Sequence, residues 1–242
     1  MSIIEVKKLK KYFGRTRAVD DISFAVEKGE IFGFLGPNGS GKTTTLRMLS
    51  TILKPTAGEI KILEKNIKDD IHKIKSEIGY IPQKESLYMD LTVRENLEFF
   101  NMGYNLADDL LKKKIEEVLG ILELTDKSDT LARTLSGGYL KRLSIAVELV
   151  HNPQILICDE ITIGLDPVLR HNIWEVLKKL KKHSTIIFTT HYLEEAEELC
   201  DRVALMSGGR ILCIGKPREI ADSFKAKNLN HVFAKLAGGE IN

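Results

Sequence analysis

The chain is 242 residues long, 43% hydrophobic and 29% charged, which are values of a globular protein with one large domain or a core plus subdomain. Its 36 basic and 34 acidic residues leave a net charge of only +2, so the basic footprint of a nucleic-acid binder is absent, and local runs such as Lys112-Lys113-Lys114 and Lys178-Lys179 read as solvated helix faces. No apolar run approaches the roughly 20 residues that span a bilayer, and residues 1–6 carry no leader pattern.

Cys158, Cys200 and Cys213 are far apart, lack metal-ligand spacing and suit a reducing, intracellular compartment. Residues 3–6 and 22–26 alternate apolar and polar and predict short strands, with turns at Gly14 and Lys28-Gly29. Tyr12 and Phe13 precede the first turn. They are either core or a platform for a purine ring. Residues 30–35 are an apolar run short enough for one buried strand. Next comes Gly36-Pro37-Asn38-Gly39-Ser40-Gly41-Lys42-Thr43, then a helical pattern over 44–53 closed by Lys54-Pro55. Strand, glycine loop and helix form the context of a phosphate loop. Glycines present backbone N–H groups inward and the helix start adds a positive dipole end, so the natural ligand is a nucleoside triphosphate. Lys42 would reach its β- and γ-phosphates and the Thr43 hydroxyl would hold Mg²⁺.

Residues 58–63 predict a strand, 65–75 a polar stretch, and 78–81 a short strand ending at Pro82-Gln83. From 91 to 150 helical periodicity takes over, with Leu110, Leu111, Ile115, Val118, Leu119 and Leu122 on one stripe. Within this block Ser136-Gly137-Gly138 opens a second clear helix, with Ser136 as its expected N-cap and a second anion site at its start. Strand texture returns at 154–158, followed by Asp159-Glu160. Two acids at the end of a buried strand are costly without a cation, and Mg²⁺ is the obvious one. Asp159 would hold it through water and Glu160 would point at the attacking water. A helix over 168–182 and a strand over 185–189 lead to His191, where parallel α/β folds place ligands. Residues 193–199 form a short acidic helix, 203–206 and 210–214 two strands, and 217–242 a tail.

These motifs, in this order, resemble the ATP-binding subunit of ABC transporters over residues 3 to about 220. Gly36 to Thr43 match the family's first nucleotide motif, Gln83 its glutamine loop, and Leu135-Ser136-Gly137-Gly138 its signature. Asp159-Glu160 match the second nucleotide motif with its catalytic glutamate, Leu165-Asp166 the D-loop, and His191 the switch histidine. Tyr139 stands where many members have glutamine, and Ile161 replaces the usual proline. Cys158 replaces an aliphatic residue and Ile163 a small polar one.

The resemblance implies an α/β fold: a phosphate-loop NTPase core with a mainly parallel sheet, an N-terminal antiparallel β subdomain and an all-helical insertion. The core takes residues 1–84 and 151–216, the helical subdomain 85–150, and the tail 217–242. ATP would be held by Gly36, Pro37, Asn38, Gly39, Ser40, Gly41, Lys42, Thr43 and Thr44, with Phe13, or second Tyr12, on the adenine. Mg²⁺ would take Thr43, Gln83 and Asp159, while Glu160, Lys42, His191 and Gln83 carry hydrolysis. Two subunits would meet head to tail, so that Ser136, Gly137 and Gly138 contact the partner's ATP. Residues 84–98 would receive a membrane permease, placing the chain on the inner face of the cell membrane. Tyr139 and a tail segment, 229–236, point to export. The rival is a soluble relative acting on ribosomes or DNA, which neither the single cassette nor the charge favours. Asp126-Lys127-Ser128-Asp129 is a near miss to a guanine-reading motif with the wrong first residue.

Overall fold

The computed structural model describes residues 1–84, 86–104 and 106–237. In chain order its regular elements are β1 Ser2–Phe13, β2 Thr16–Glu27, β3 Ile31–Leu35, α1 Lys42–Leu49, β4 Ala57–Ile62, β5 Lys65–Asn66, α2 Ile71–Lys75 and β6 Ile78–Ile81. There follow α3 Val93–Asn101, α4 Asp108–Ile121, α5 Gly137–Val147, β7 Ile155–Asp159, α6 Pro167–Leu180, β8 Thr185–Thr190 and α7 Leu193–Leu199. β9 Arg202–Ser207, β10 Arg210–Gly215, α8 Pro217–Ser223 and α9 Leu229–Ala237 complete the chain. The elements fall into two compact units, Met1–Ile74 with Thr185–Asn242, and Lys75–Ser184.

The first unit holds an antiparallel sheet ordered β2-β1-β4-β5. β1 and β2 form a long hairpin in which Phe13 faces Thr16 across the turn at Gly14, whose φ is +57°. Both strands are twelve residues long, where short pieces were expected. The alternation is interrupted because the register shifts between Val6 and Leu9, where Lys8 takes a φ of +49°. In the second sheet of this unit β3 runs parallel between β8 and β9, and β10 closes antiparallel on β9. β3 is buried along its whole length. Phe24, Phe32 and Phe34 form one aromatic cluster with ring centroids 5.1 to 5.9 Å apart. Gly33 sits inside this strand because a Cβ there would overlap the Cys200 sulfur.

In the Lys75–Ser184 unit β6 runs parallel to β7, with Ile81 beside Cys158. Helix α3 opens with a capping box: Thr92 Oγ1 accepts from Glu95 N–H at 3.1 Å and Glu95 returns a 2.7 Å acceptor to Thr92 N–H. Ile115, Val118, Leu119 and Leu122 are buried as the periodicity predicts, but Leu110 is 44% exposed. Leu110 stands in the first turn of α4, so the apolar stripe is buried only from Ile115 onward. Asp166 caps α6 by accepting from Val168 and Leu169 N–H groups, with Pro167 at the first helical position. Among the described residues no helix is long and apolar enough to cross a membrane.

Candidate nucleotide site

The phosphate loop leaves the C-terminal end of β3 and enters α1, whose N-cap is Gly41. Gly41 has a φ of +104°, and a Cβ there would press on the Ala18 carbonyl oxygen. A Cβ at Gly36 would overlap the Met206 carbonyl oxygen and stand 2.8 Å from Ser40 Oγ. The glycines therefore let the loop fold against β9 and the start of β2. Lys42 is 4% exposed and its Nζ donates to the carbonyls of Gly36 at 2.7 Å and Pro37 at 3.1 Å. Ser40 is 2% exposed, and its hydroxyl has no protein partner among the described residues. Buried hydroxyls normally have one. A buried cation, an unsatisfied hydroxyl and the start of an eight-residue helix make a cradle for phosphate. Thr43 and Thr44 follow, half-buried in the first turn, while Pro37, Asn38 and Gly39 are exposed. Leu35 pairs with Thr190 on β8, so Gly36 and His191 leave neighbouring strands at the same level. The His191 ring packs on Tyr192 at 4.2 Å.

The hairpin separates its two aromatics. The Tyr12 hydroxyl donates to Asp20 at 2.7 Å, and Arg210 holds the other oxygen of Asp20 at 2.9 Å. The Tyr12 hydroxyl and the guanidinium hold Asp20 well down, at about 2. Phe13 has no such tie; it is 51% exposed with only Lys11 Nζ over its ring at 5.0 Å. Alternation along β1 explains the difference, since neighbouring strand residues face opposite ways.

In the second unit the acids and the glutamine converge. Because Ile81 pairs with Cys158, Pro82-Gln83 and Asp159-Glu160 leave adjacent strand ends together. Gln83 Nε2 donates to Glu160 Oε2 at 3.3 Å, and the Tyr80 hydroxyl to Asp159 Oδ2 at 3.4 Å. Asp159 is 2% and Glu160 9% exposed. Glu160 adopts a φ of +47°, a strained conformation for a side chain other than glycine and one that clusters at functional sites. Its carbonyl accepts from Ile163 N–H at 3.2 Å, closing the turn that follows the strand. No group of three or more His, Cys, Asp or Glu gathers among the described residues, so a protein-only metal cage is absent there. Mg²⁺ does not need one, because it keeps waters and takes phosphate oxygens beside one or two protein oxygens.

Ser136 occupies the N-cap position of α5 in extended conformation, yet its side chain makes no capping bond. This corrects the expected capping role: the hydroxyl is exposed to solvent and bonds none of the first-turn N–H groups, so the helix start rests on the ordinary Leu140 N–H bond to the Ser136 carbonyl. Gly137 is exposed. Gly138 is buried, and a Cβ there would stand 2.7 Å from the Leu169 side chain of α6. Tyr139 lies between Lys127 and Arg142, whose cations are 6.0 and 5.9 Å from its ring.

Sequence reasoning missed Tyr80, Lys141 and Glu148. Glu148 is the lone polar side chain in Ile145-Ala146-Val147-Glu148-Leu149-Val150, a signal that could have marked it. Its Oε2 accepts from Tyr80 N–H at 3.1 Å, while burial pushes the carboxyl up to about 7.

Residues 19–163 match the family model described as ABC transporter. The chain belongs to the ABC transporter family. It is 42% identical over 219 residues to the Nod factor export ATP-binding protein I of Ralstonia nicotianae, covering 90% of this chain and 68% of that one. It is 39% identical to the linearmycin resistance ATP-binding protein LnrL of Bacillus subtilis, covering 90% and 70% of the two. Among solved structures, cbiO1 from Clostridium perfringens, part of the ABC transporter complex cbiONQ, superposes with a TM-score of 0.85 at 31% identity over 91% of both chains. This ABC cassette thus has the phosphate-loop NTPase fold, binds ATP, and hydrolyses it to power transport through a separate membrane subunit. Nothing in these relatives supports the ribosome or DNA reading.

Proposed function

We propose that this cassette powers export, with Gly36 to Thr44 holding the phosphates of ATP and Phe13, in preference to Tyr12, stacking on adenine. The relatives named for Nod factor export and linearmycin resistance support export. Thr43, Asp159 and Gln83 would hold Mg²⁺, which when bound neutralises charge on the β- and γ-phosphates. Glu160 orients and polarises the attacking water, with Gln83 holding its carboxylate. Lys42 and His191 stabilise charge that grows on the γ-phosphoryl oxygens. Ser136, Gly137 and Gly138 contact the ATP of a second, head-to-tail subunit.

Residues 84–98 receive the permease, and Glu85 lies outside the described residues. An exposed aromatic cluster supports that surface: Tyr88 is 50% and Phe99 43% exposed, with their rings 4.4 Å apart. On this reading 1–84 with 151–216 form the core, 85–150 the helical subdomain and 217–242 the tail, of which 238–242 lie outside the described residues. The chain then works peripherally at the inner face of the cell membrane.

One observation carries the catalytic assignment: Gln83 bonded to a strained Glu160 at adjacent strand ends. Glu160→Gln should bind ATP and associate while hydrolysis falls at least about a hundredfold. Near wild-type turnover in a steady-state phosphate-release assay would sink the assignment.

A further inference from the structure

Two ionisable side chains reach the segment from β6 to Gln83, Lys141 from helix α5 and Glu148 from the C-cap of that helix. Glu148 Oε2 accepts from Tyr80 N–H at 3.1 Å, and Lys141 Nζ makes a longer contact with the Gln83 carbonyl at 3.5 Å. Lys141 and Glu148 are two helical turns apart, about 10.5 Å of rise. Tyr80 and Gln83 are three residues apart, at most about 10 Å of chain, with Gln83 in the bend that follows β6. The two side-chain contacts therefore pin helix and segment at two points. Gly79 makes the approach possible, since a Cβ there would stand 2.8 Å from the Glu148 carbonyl oxygen and 3.1 Å from Glu148 Cβ. A backbone carbonyl cannot swing aside as a flexible side chain can. From the pinned segment two bonds continue to the acids, Tyr80 to Asp159 and Gln83 to Glu160. Half-burying a carboxyl costs stability that an apolar residue at this helix end would not.

We infer that Glu148 is a positioning residue: it ties the helix that begins at Ser136-Gly137-Gly138 to the strand that sets Asp159 and Glu160. The tie within one chain stands on geometry alone. Its consequence rests on the proposed head-to-tail pair. There α5 serves the partner's ATP while Asp159 and Glu160 serve the chain's own, so Glu148 links two hydrolysis sites.

Steady-state ATPase assays on the full chain test this, with Glu148→Leu, Glu148→Gln and Gly79→Ala. Glu148→Gln keeps a hydrogen-bond acceptor at the same reach; Glu148→Leu keeps bulk without one. The expected result is a kcat loss of about tenfold for Glu148→Leu, equilibrium ATP binding within about twofold, and a Hill coefficient drawn towards one. Glu148→Gln retains kcat and cooperativity, which mere packing would not distinguish from leucine. Gly79→Ala, which forces helix and strand apart with Glu148 in place, reproduces the leucine variant. Equal kcat for the leucine and glutamine variants overturns the inference. If circular dichroism shows Glu148→Leu unfolded, Gly79→Ala and Lys141→Met decide, and full kcat in both overturns it. Light scattering on Glu160→Gln separates the two ideas. A chain that stays monomeric with ATP overturns the paired arrangement, not the tie.

Discussion

Glu148 holds its proton to higher pH than an ordinary glutamate does. Burial raises its carboxyl from 4.5 to about 7, against the smaller opposing effect of the Tyr80 N–H. Between those two values the folded chain keeps the proton that the unfolded chain releases. The stability linked to this group is therefore full below about pH 4.5 and lost as pH rises through about 7. Glu148→Gln cannot ionise, so its stability relative to the native chain should climb across that window. Urea midpoints for both proteins at several pH values measure this, and a constant difference refutes it. Tyr12 and Phe13 offer a second residue-scale test. A stacked base contributes about 1–3 kcal/mol, so Phe13→Ala should weaken ATP binding by roughly fivefold or more. Tyr12→Ala removes a ring whose hydroxyl is tied to Asp20 and should change affinity far less. A fluorescence titration that ranks the two variants the other way assigns the adenine to Tyr12.

At the scale of elements, the parts easiest to read in the sequence were those whose chemistry tolerates few alternatives. Gly36 and Gly41 meet carbonyl oxygens where any Cβ would collide, so the phosphate loop is written in its glycines. The strand of β7 and its two acids were legible for a related reason, since ionised groups beside a buried run need a partner. Length was harder. β1 and β2 looked like short strands because Lys7-Lys8 and Lys10-Lys11 interrupt the alternation, and the bulge at Lys8 is a property of pairing with β2 that local sequence does not show. Helix α5 starts at Gly137, three residues before its apolar periodicity becomes clear. Tyr80 and Glu148 escaped because each acts through a contact far away in sequence. The capping box of α3, by contrast, was visible as Thr92-Val93-Arg94-Glu95 and was overlooked. Thr92→Ala should cost about 1 kcal/mol in denaturant unfolding, with little change in ATP affinity. No measurable loss would mean that α3 is held by its packing alone.

For the whole molecule, the two units differ in how the chain builds them. Lys75–Ser184 is continuous, whereas the other unit joins Met1–Ile74 to Thr185–Asn242. The strand partners of β3 are β8 and β9, both from the later segment. A chain cut after Ser184 keeps every residue of the phosphate loop yet loses both partners. It should fail to bind ATP in a filter or fluorescence assay, and native affinity in that fragment would show that the loop holds its shape without them.

That discontinuity also sets an order of events on the ribosome. Translation at about 5–20 residues per second leaves Ile31-Phe32-Gly33-Phe34-Leu35 waiting roughly 7–30 s before the residues that flank it emerge. During that interval the most apolar strand of the nascent chain has neither edge covered, while the Lys75–Ser184 unit can already close. Synthesis speed and chaperone access between those two moments then bear on yield alongside the final stability. Synonymous changes that slow elongation through residues 75–184 should lengthen that interval and increase aggregation without altering a single side chain.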